Sequence, residues 1–238
     1  MKRLRLAILF VPACLLQIQA HAAVTGQRVQ ATAKVKHVTF SADDGAVISA
    51  DLYGTGDYGL VLAHGGQFTK ESWKPEAEQF ARAGFQILAF DFRGFGHSHG
   101  PGDSDIFTAP MHLDVLAAVR FLRRRGVKKI AVIGASFGGS AAANASIASR
   151  PGEIDRLILL AAAGTGPAGK IKAPLLEIIA RDDANVDGLR LPGVRAWWDK
   201  VPGPKKLILL DGTAHAQFLF RTGQSGRIMT AIFRFLRS

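Results

Sequence analysis

Short runs of apolar residues recur along the chain at regular intervals. They occupy positions 60–63, 87–90, 130–133, 157–160, 178–179 and 207–210. A run of this kind, without alternating polar positions, is typical of a strand that is buried on both faces, as strands of a parallel sheet are. Residues 34–53 precede the first run and are predicted to form an antiparallel hairpin, which adds two strands.

Helical patterns fill the intervals between the predicted strands. A helix is predicted to be capped by Ser72 and to stop at Gly84, and an alanine-rich helix is predicted over 140–149. Two more helices are predicted from apolar residues that recur every three or four positions, which are Val115, Leu116, Val119 and Leu122 before Gly126, and Ile228, Ile232, Phe235 and Leu236. This alternation predicts an α/β fold in which a mostly parallel, eight-stranded sheet carries helices on both faces.

The first 22 residues have a different character from the rest. Lys2, Arg3 and Arg5 precede an apolar run at 6–18, and small residues follow in the A-x-A arrangement at 20–22. This is the layout of a secretory signal peptide. We therefore predict a signal peptide at 1–22 and one domain at 23–238, exported to a periplasm or out of the cell. The apolar run is shorter than the ~20 residues that a membrane-spanning helix needs, so no stable membrane span is expected.

Composition fits one globular domain. The 238 residues are 48% hydrophobic and 21% charged, and the single cysteine excludes an internal disulfide framework. Loss of the three cations in the predicted leader lowers the formal charge from +11 to +8. The remaining cations are scattered, apart from a cluster at 123–129. That cluster follows a predicted helix, where cations suit the helix dipole, and no nucleic-acid motif accompanies it. A nucleic-acid partner is therefore not expected.

A nucleophile motif follows the predicted strand at 130–133. The segment Gly134-Ala135-Ser136-Phe137-Gly138 fits the pattern G-x-S-x-G and leads directly into a predicted helix. Glycines two positions before and after the serine leave room for a turn that holds the serine in a strained backbone conformation. The motif therefore predicts Ser136 as a nucleophile.

A serine hydroxyl becomes a good nucleophile only when a neighbouring base takes its proton. His215 follows the predicted strand at 207–210 and is the only histidine after His112. The imidazole in turn needs a carboxylate to fix its tautomer. Asp182 and Asp183 both follow the strand at 178–179. We favour Asp183 as this carboxylate, because Val186 three residues later is typical of the point where the chain re-enters regular structure. Asp182 remains the alternative. Whichever of the two does not contact the imidazole is expected to stabilise a turn or cap a helix.

These motifs resemble those of the α/β-hydrolase family, and the resemblance covers essentially all of residues 23–238. His64-Gly65-Gly66 resembles the family's histidine-glycine turn, and the segment 91–98 resembles its D-x-R-G-x-G-x-S stretch, in which Asp91 and Arg93 are interpreted as turn-stabilising. The resemblance implies an oxyanion hole built from the backbone amide of Phe137 with that of Gly66 or Gln67.

Residues 164–174 are too few for the cap domain that many relatives insert after the sixth strand. The chain therefore looks most like a lidless, dienelactone-hydrolase-like esterase, with loops at 68–73 and 101–110 narrowing an open cleft. We predict a serine hydrolase that cleaves small or medium carboxylic esters through an acyl-enzyme, without a cofactor. A peptidase, thioesterase or perhydrolase with the same triad stays open, as does a non-catalytic binding member of the fold. The sequence does not predict the oligomeric state.

Two further features do not enter this mechanism. His97, His99 and Asp103 are rejected as a metal site because no further ligand lies at a convincing spacing. Glu177 places a charge inside an apolar strand, and we expect its side chain to face an edge or to be paired.

Overall fold

A sheet of eight strands, in the order β1-β2-β4-β3-β5-β6-β7-β10, forms the frame of the molecule. The computed structural model describes residues 35–238, and the predicted signal peptide at 1–22 lies outside the described residues. The strands of this sheet are β1 (Lys36–Ser41), β2 (Val47–Tyr53), β3 (Tyr58–Ala63), β4 (Gln86–Phe90), β5 (Lys129–Ala135), β6 (Arg156–Leu160), β7 (Leu175–Ala180) and β10 (Lys205–Leu210). A separate two-stranded ribbon consists of β8 (Ala184–Asn185) and β9 (Gly188–Leu189).

The pairing of the strands confirms the predicted architecture. Every pair from β4 to β10 along the sheet is parallel, whereas β1 pairs with β2 and β2 pairs with β4 in the antiparallel sense. Each predicted apolar run lies within one of the parallel strands. The predicted hairpin at 34–53 is the β1–β2 pair.

Helices cover both faces of the sheet, as predicted. They are α1 (Lys74–Arg82), α2 (Met111–Arg124), α3 (Phe137–Ala148), α4 (Arg190–Trp198) and α5 (Ser225–Arg237). Within residues 35–238, none of the helices has the length and apolar composition that crossing a bilayer requires.

The strands feed two apolar cores on opposite faces, because successive side chains of a strand point to opposite sides. In β3, Val61 packs into the core that contains α2 and α3, whereas Leu60 and Leu62 pack into the core that contains α1 and α5. All three side chains are fully buried. Burial of one such side chain stabilises the fold by roughly 1.5–3 kcal/mol.

One predicted helix boundary is wrong and one is confirmed. Ser72 does not cap α1, because it lies in a short 3-10 helix, Lys70–Trp73, where its hydroxyl donates to the Thr69 carbonyl oxygen over 2.6 Å. The helix starts only at Lys74, with a proline in its first turn that has no N–H to satisfy. It ends at Arg82, just before Gly84, whose φ of +93° is the left-handed conformation that terminates helices.

The connection between β6 and β7 contains no cap domain. Residues 161–174 form this connection, and their only regular element is a short 3-10 helix, Ala168–Lys170. The longer excursion of the chain comes after β7, where the β8–β9 ribbon leads into α4. The lidless architecture predicted from the sequence is therefore confirmed for the described residues.

Glu177 corrects a sequence prediction. It is neither edge-facing nor paired with a cation, because β7 lies between β6 and β10 and the Glu177 side chain is fully buried. Its Oε1 accepts the Ala162 amide proton over 3.2 Å, and its Oε2 has no hydrogen-bond partner among residues 35–238. Burial raises the pKa of the Glu177 carboxyl well above its usual range, which favours the protonated form in the folded protein.

Candidate active site

Ser136 occupies a strained turn between β5 and α3. Its φ of 50° and ψ of −117° lie outside the conformations that side-chain-bearing residues favour, and its amide donates to the Leu160 carbonyl oxygen over 2.9 Å. The flanking glycines make this turn possible. A Cβ on Gly134 would lie 2.5 Å from the Gly138 carbonyl oxygen, and a Cβ on Gly138 would lie 2.4 Å from the His64 carbonyl oxygen. The small residues of the motif therefore have a steric cause.

Ser136, His215 and Asp183 form one chain of hydrogen bonds. His215 Nε2 lies 2.7 Å from Ser136 Oγ, and His215 Nδ1 lies 2.7 Å from Asp183 Oδ2. A carboxylate can only accept, so Nδ1–H donates to Asp183 and Nε2 is left to accept the serine proton. Asp183 is fully buried, whereas Asp182 is exposed and uses its amide to bond the Gly212 carbonyl oxygen. Of the two candidate acids, Asp183 is the one that contacts the imidazole.

The two residues of the predicted oxyanion hole, Phe137 and Gly66, lie against each other. Phe137 is the first residue of α3, so its amide has no acceptor within the helix. Gly66 lies against it, since a Cβ on Gly66 would be 3.5 Å from Phe137 Cβ. The Gly66 amide makes no hydrogen bond within residues 35–238. Neither amide therefore has an acceptor in the described part of the chain, as the amides of an oxyanion hole require.

The turn that carries Gly66 is held in place by two buried side chains. His64 Nε2 accepts the Phe92 amide proton over 3.2 Å, so His64 Nδ1 donates to the Gly65 carbonyl oxygen over 2.9 Å. Burial lowers the pKa of His64 and keeps its ring neutral. Gln217 Oε1 accepts the Gly65 amide proton over 2.9 Å. Sequence reasoning missed Gln217, and its position two residues after His215 is the only signal that could have pointed to it.

Asp91 and Arg93 are engaged in buried ion pairs that fix the loop after β4. Asp91 accepts both the Lys70 amide and its ammonium group over 2.7 Å. Arg93 Nη2 donates to Asp114 Oδ1 over 2.6 Å, and its guanidinium also pairs with Asp44. These contacts agree with the interpretation of both residues as turn-stabilising.

Two cavities flank the nucleophile and share Phe137 and Ser140 in their walls. The first has a volume of about 310 Å³ and includes Ser136 itself. We call it the β8–β9 cavity, because its other walls come from residues 161–163, from that ribbon and from the start of α4. The second has a volume of about 460 Å³ and is lined by residues 106–112. Part of the loop predicted at 101–110 therefore borders the cleft.

Arg190 is a second residue that sequence reasoning missed. It begins α4, its amide donates to the Asp183 carbonyl oxygen over 2.8 Å, and its side chain lines the β8–β9 cavity. Its Nε lies 3.4 Å from Asp183 Oδ1. A cation seven residues after the candidate acid was visible in the sequence, but nothing in the sequence placed it at the site.

Comparison with known proteins identifies the family. The sequence model of the alpha/beta hydrolase fold matches residues 59–198. The chain belongs to the α/β-hydrolase family. It is 28% identical over 157 residues to the non-heme chloroperoxidase of Streptomyces lividans, which is 64% of this chain and 50% of that protein. It is 33% identical over 82 residues to bifunctional epoxide hydrolase 2 of Sus scrofa, which is 34% of this chain and 14% of that protein. The chain thus spans at most half the length of these curated relatives.

Solved structures have the same fold as this α/β-hydrolase. An esterase of Pyrococcus furiosus superimposes with a TM-score of 0.68 over 86% of this chain and 92% of its own. The two sequences are 21% identical, so the likeness shows the fold and not the substrate.

Proposed function

We propose that this α/β-hydrolase is a serine hydrolase that cleaves carboxylic esters of small or medium acyl size through an acyl-enzyme intermediate. The observation that carries the proposal is the pair of 2.7 Å hydrogen bonds that link Asp183 to His215 and His215 to Ser136. Nucleophile, base and orienting carboxylate are the groups that acyl transfer needs, in the geometry that it needs.

Acylation uses all of these groups. Ser136 Oγ attacks the carbonyl carbon of the ester while its proton moves to His215 Nε2. The carbonyl oxygen becomes an oxyanion, which the amides of Phe137 and Gly66 stabilise by hydrogen bonds. When the carbon–oxygen bond to the leaving group breaks, His215 gives its proton to the departing alcohol. The acyl group stays bound to Ser136.

Deacylation repeats these steps with water. His215 Nε2 takes one proton from water, and the hydroxide attacks the acyl carbon. The bond to Ser136 Oγ then breaks, the proton returns from His215 to the serine, and the carboxylic acid leaves. Asp183 orients the imidazole in both halves and stabilises its protonated form without itself taking the proton.

As the subtype we propose a lidless esterase of the dienelactone-hydrolase type. The open cleft supports this proposal. In the described part of the chain, no cap covers Ser136, and the cavities beside it measure about 310 and 460 Å³. Spaces of this size suit a small-molecule ester. The shape of the pocket decides which leaving group is accepted. The substrate panel should therefore contain thioesters and peptides beside simple esters, and it should include hydrogen peroxide as an alternative acyl acceptor.

A fluorophosphonate probe tests the proposal most directly, because it labels only an activated serine. We expect the probe to label Ser136 in the purified protein and to leave Ser136→Ala unlabelled. The same variant should hydrolyse p-nitrophenyl esters with a turnover that is lower by several orders of magnitude. Ser41→Ala, which changes an exposed serine at the end of β1, is the matched control and should be labelled normally. A folded protein that is not labelled, or a Ser136→Ala variant that keeps its activity, would overturn the proposal.

We also propose that the hydrolase acts after export. The basic start, the apolar run at 6–18 and the A-x-A arrangement at 20–22 support a cleavable leader. Sequencing of the amino terminus of protein recovered from a periplasmic or culture-medium fraction tests this. A start at residue 23 is expected, and recovery of uncleaved protein from the cytoplasm alone would contradict it.

A further inference from the structure

The β8–β9 cavity next to Ser136 contains a single charged group. Arg190 lies in its wall, and all other lining residues in the described chain are neutral. The apolar part of the wall comes from residues 161–163 with Leu189 and Val194, and the polar part from Ser140 and Asn185 beside Ser136. The single charged residue of a pocket whose other lining residues are neutral is the group that selects the charge of its ligand.

The guanidinium group of Arg190 has unused hydrogen-bond donors. About 33% of the side chain is exposed, yet its Nε is buried and has no hydrogen-bond partner within residues 35–238. Within the described residues, the one polar contact of the guanidinium is the 3.4 Å approach of Nε to Asp183 Oδ1, so the two Nη groups keep their donors free. A partly desolvated guanidinium with free donors is matched in shape and charge by a carboxylate, which it can bind through two parallel hydrogen bonds.

Asp183 does not satisfy this cation. The closest approach of the pair, 3.4 Å between Arg190 Nε and Asp183 Oδ1, is longer than the 2.7–2.9 Å that is usual for a charge-assisted hydrogen bond. The other carboxylate oxygen of Asp183 is engaged with His215. When His215 takes the serine proton, the single charge of Asp183 faces two cations. A second anion in the cavity would balance the charge of Arg190 at that stage.

We infer that the preferred substrates are esters whose acyl part carries a negative charge, such as half-esters of dicarboxylic acids, and that Arg190 binds that charge. This inference rests on the proposed function, since it assigns the substrate class of the same site. The positive formal charge of the chain, +11 in total and +8 without the predicted leader, would also attract such substrates to the protein.

A pair of substrates that differ only in charge tests the inference. The p-nitrophenyl half-ester of glutaric acid ends in a carboxylate, whereas p-nitrophenyl pentanoate has the same acyl length and the same leaving group and ends in a methyl group. We expect a higher kcat/KM for the glutarate half-ester, after subtraction of its spontaneous hydrolysis. Arg190→Gln should lower that value by about tenfold to a hundredfold, chiefly through KM, and should lower pentanoate hydrolysis by a clearly smaller factor, so that the preference for the charged ester falls.

Arg195→Gln is the matched control. Arg195 is exposed on the same helix and does not line the cavity, so the variant makes the same change of charge without touching the site. It should alter neither substrate's kinetics. If Arg190→Gln does not fold, Arg190→Lys provides the measurement. A lysine keeps the positive charge but lacks the planar pair of N–H donors that binds both oxygens of a carboxylate. The Arg190→Lys variant should therefore retain only part of the preference for the charged ester.

The outcomes separate this inference from the proposed function. Equal losses for both esters in Arg190→Gln would mean that Arg190 supports the triad through Asp183, and the inference on substrate class would be wrong. A wild-type preference for pentanoate would overturn it as well. Failure of the wild-type protein to hydrolyse either ester, together with no labelling of Ser136 by a fluorophosphonate, would instead overturn the proposed function itself.

Discussion

Replacement of Glu177 by glutamine should stabilise the protein, and increasingly so as the pH rises. Glu177 is fully buried in β7, and burial raises the pKa of its carboxyl well above the usual range. Glutamine has nearly the same shape and keeps an oxygen that can accept the Ala162 amide, which Glu177 Oε1 accepts over 3.2 Å. The variant therefore removes one titrating group and leaves the packing of the sheet in place.

The magnitude follows from proton linkage. Below about pH 4.3, the pKa of an unfolded glutamate, folded and unfolded chains both carry the proton, and the residue adds no pH dependence. Above that pH the unfolded chain loses the proton while the folded protein retains it. The free energy of unfolding of the wild type then falls by about 1.4 kcal/mol per pH unit until the pH reaches the raised pKa of the folded state. The advantage of Glu177→Gln should grow by that amount per unit.

Urea unfolding of both proteins at about pH 5.5 and 6.5 measures this growth, since the difference between them should increase with pH, by at most about 1.4 kcal/mol over this unit. The other titrating groups are shared by the two proteins and cancel. Asp187→Asn, which removes an exposed carboxyl from the β8–β9 ribbon, controls for the chemical change alone. A stability difference between wild type and Glu177→Gln that stays constant with pH would refute the reasoning, because it would mean that Glu177 is ionised in the folded protein.

Three further predictions concern the site. Asp183→Asn should lower turnover of p-nitrophenyl butyrate by about four orders of magnitude, because an amide no longer holds the imidazole in its tautomer, whereas Asp182→Asn should stay near wild type. Gly138→Ala places a Cβ 2.4 Å from a backbone carbonyl oxygen. It should lower the free energy of unfolding in urea by about 1–3 kcal/mol and abolish fluorophosphonate labelling. Gly223→Ala is the control, because a Cβ there meets open space and should have neither effect. Gln217→Met leaves the buried Gly65 amide without its acceptor. The free energy of unfolding should fall by about 1–3 kcal/mol, and fluorophosphonate labelling should slow. An unchanged labelling rate would show that the turn at Gly65 keeps its position without Gln217.

The features that could be predicted from the sequence are those with local causes. The strands are readable because a parallel strand is buried on both faces and so must be apolar along its whole length, as in 87–90. The turn at Ser136 is readable because the steric need for small neighbours fixes Gly134 and Gly138 at set distances from the serine. The prediction that Ser72 caps α1 was wrong because its hydroxyl donates to a carbonyl oxygen at the start of its own 3-10 turn and makes no bond to the helix that follows.

The features that were missed depend on partners distant in the chain. Gln217 bonds an amide 152 residues away, and Arg190 matters because the ribbon after β7 folds back towards the nucleophile. Glu177 was mistaken for an edge or paired residue because a charge in an apolar run ordinarily requires one. Its burial, which raises the pKa of the carboxyl, depends on the strands on either side of it, and these are distant in the chain.

The position of β10 makes the chemistry more fragile than the fold. Ser136 follows a strand in the middle of the sheet, but His215 follows β10, which pairs only with β7 and forms the outer edge. Edge elements open locally at a lower free energy than the centre of a domain. Partial detachment of this strand would separate the base from the nucleophile while the central strands stay paired. On heating, hydrolysis should therefore cease before most of the secondary structure is lost, and a sample that is folded by spectroscopy need not be an active one.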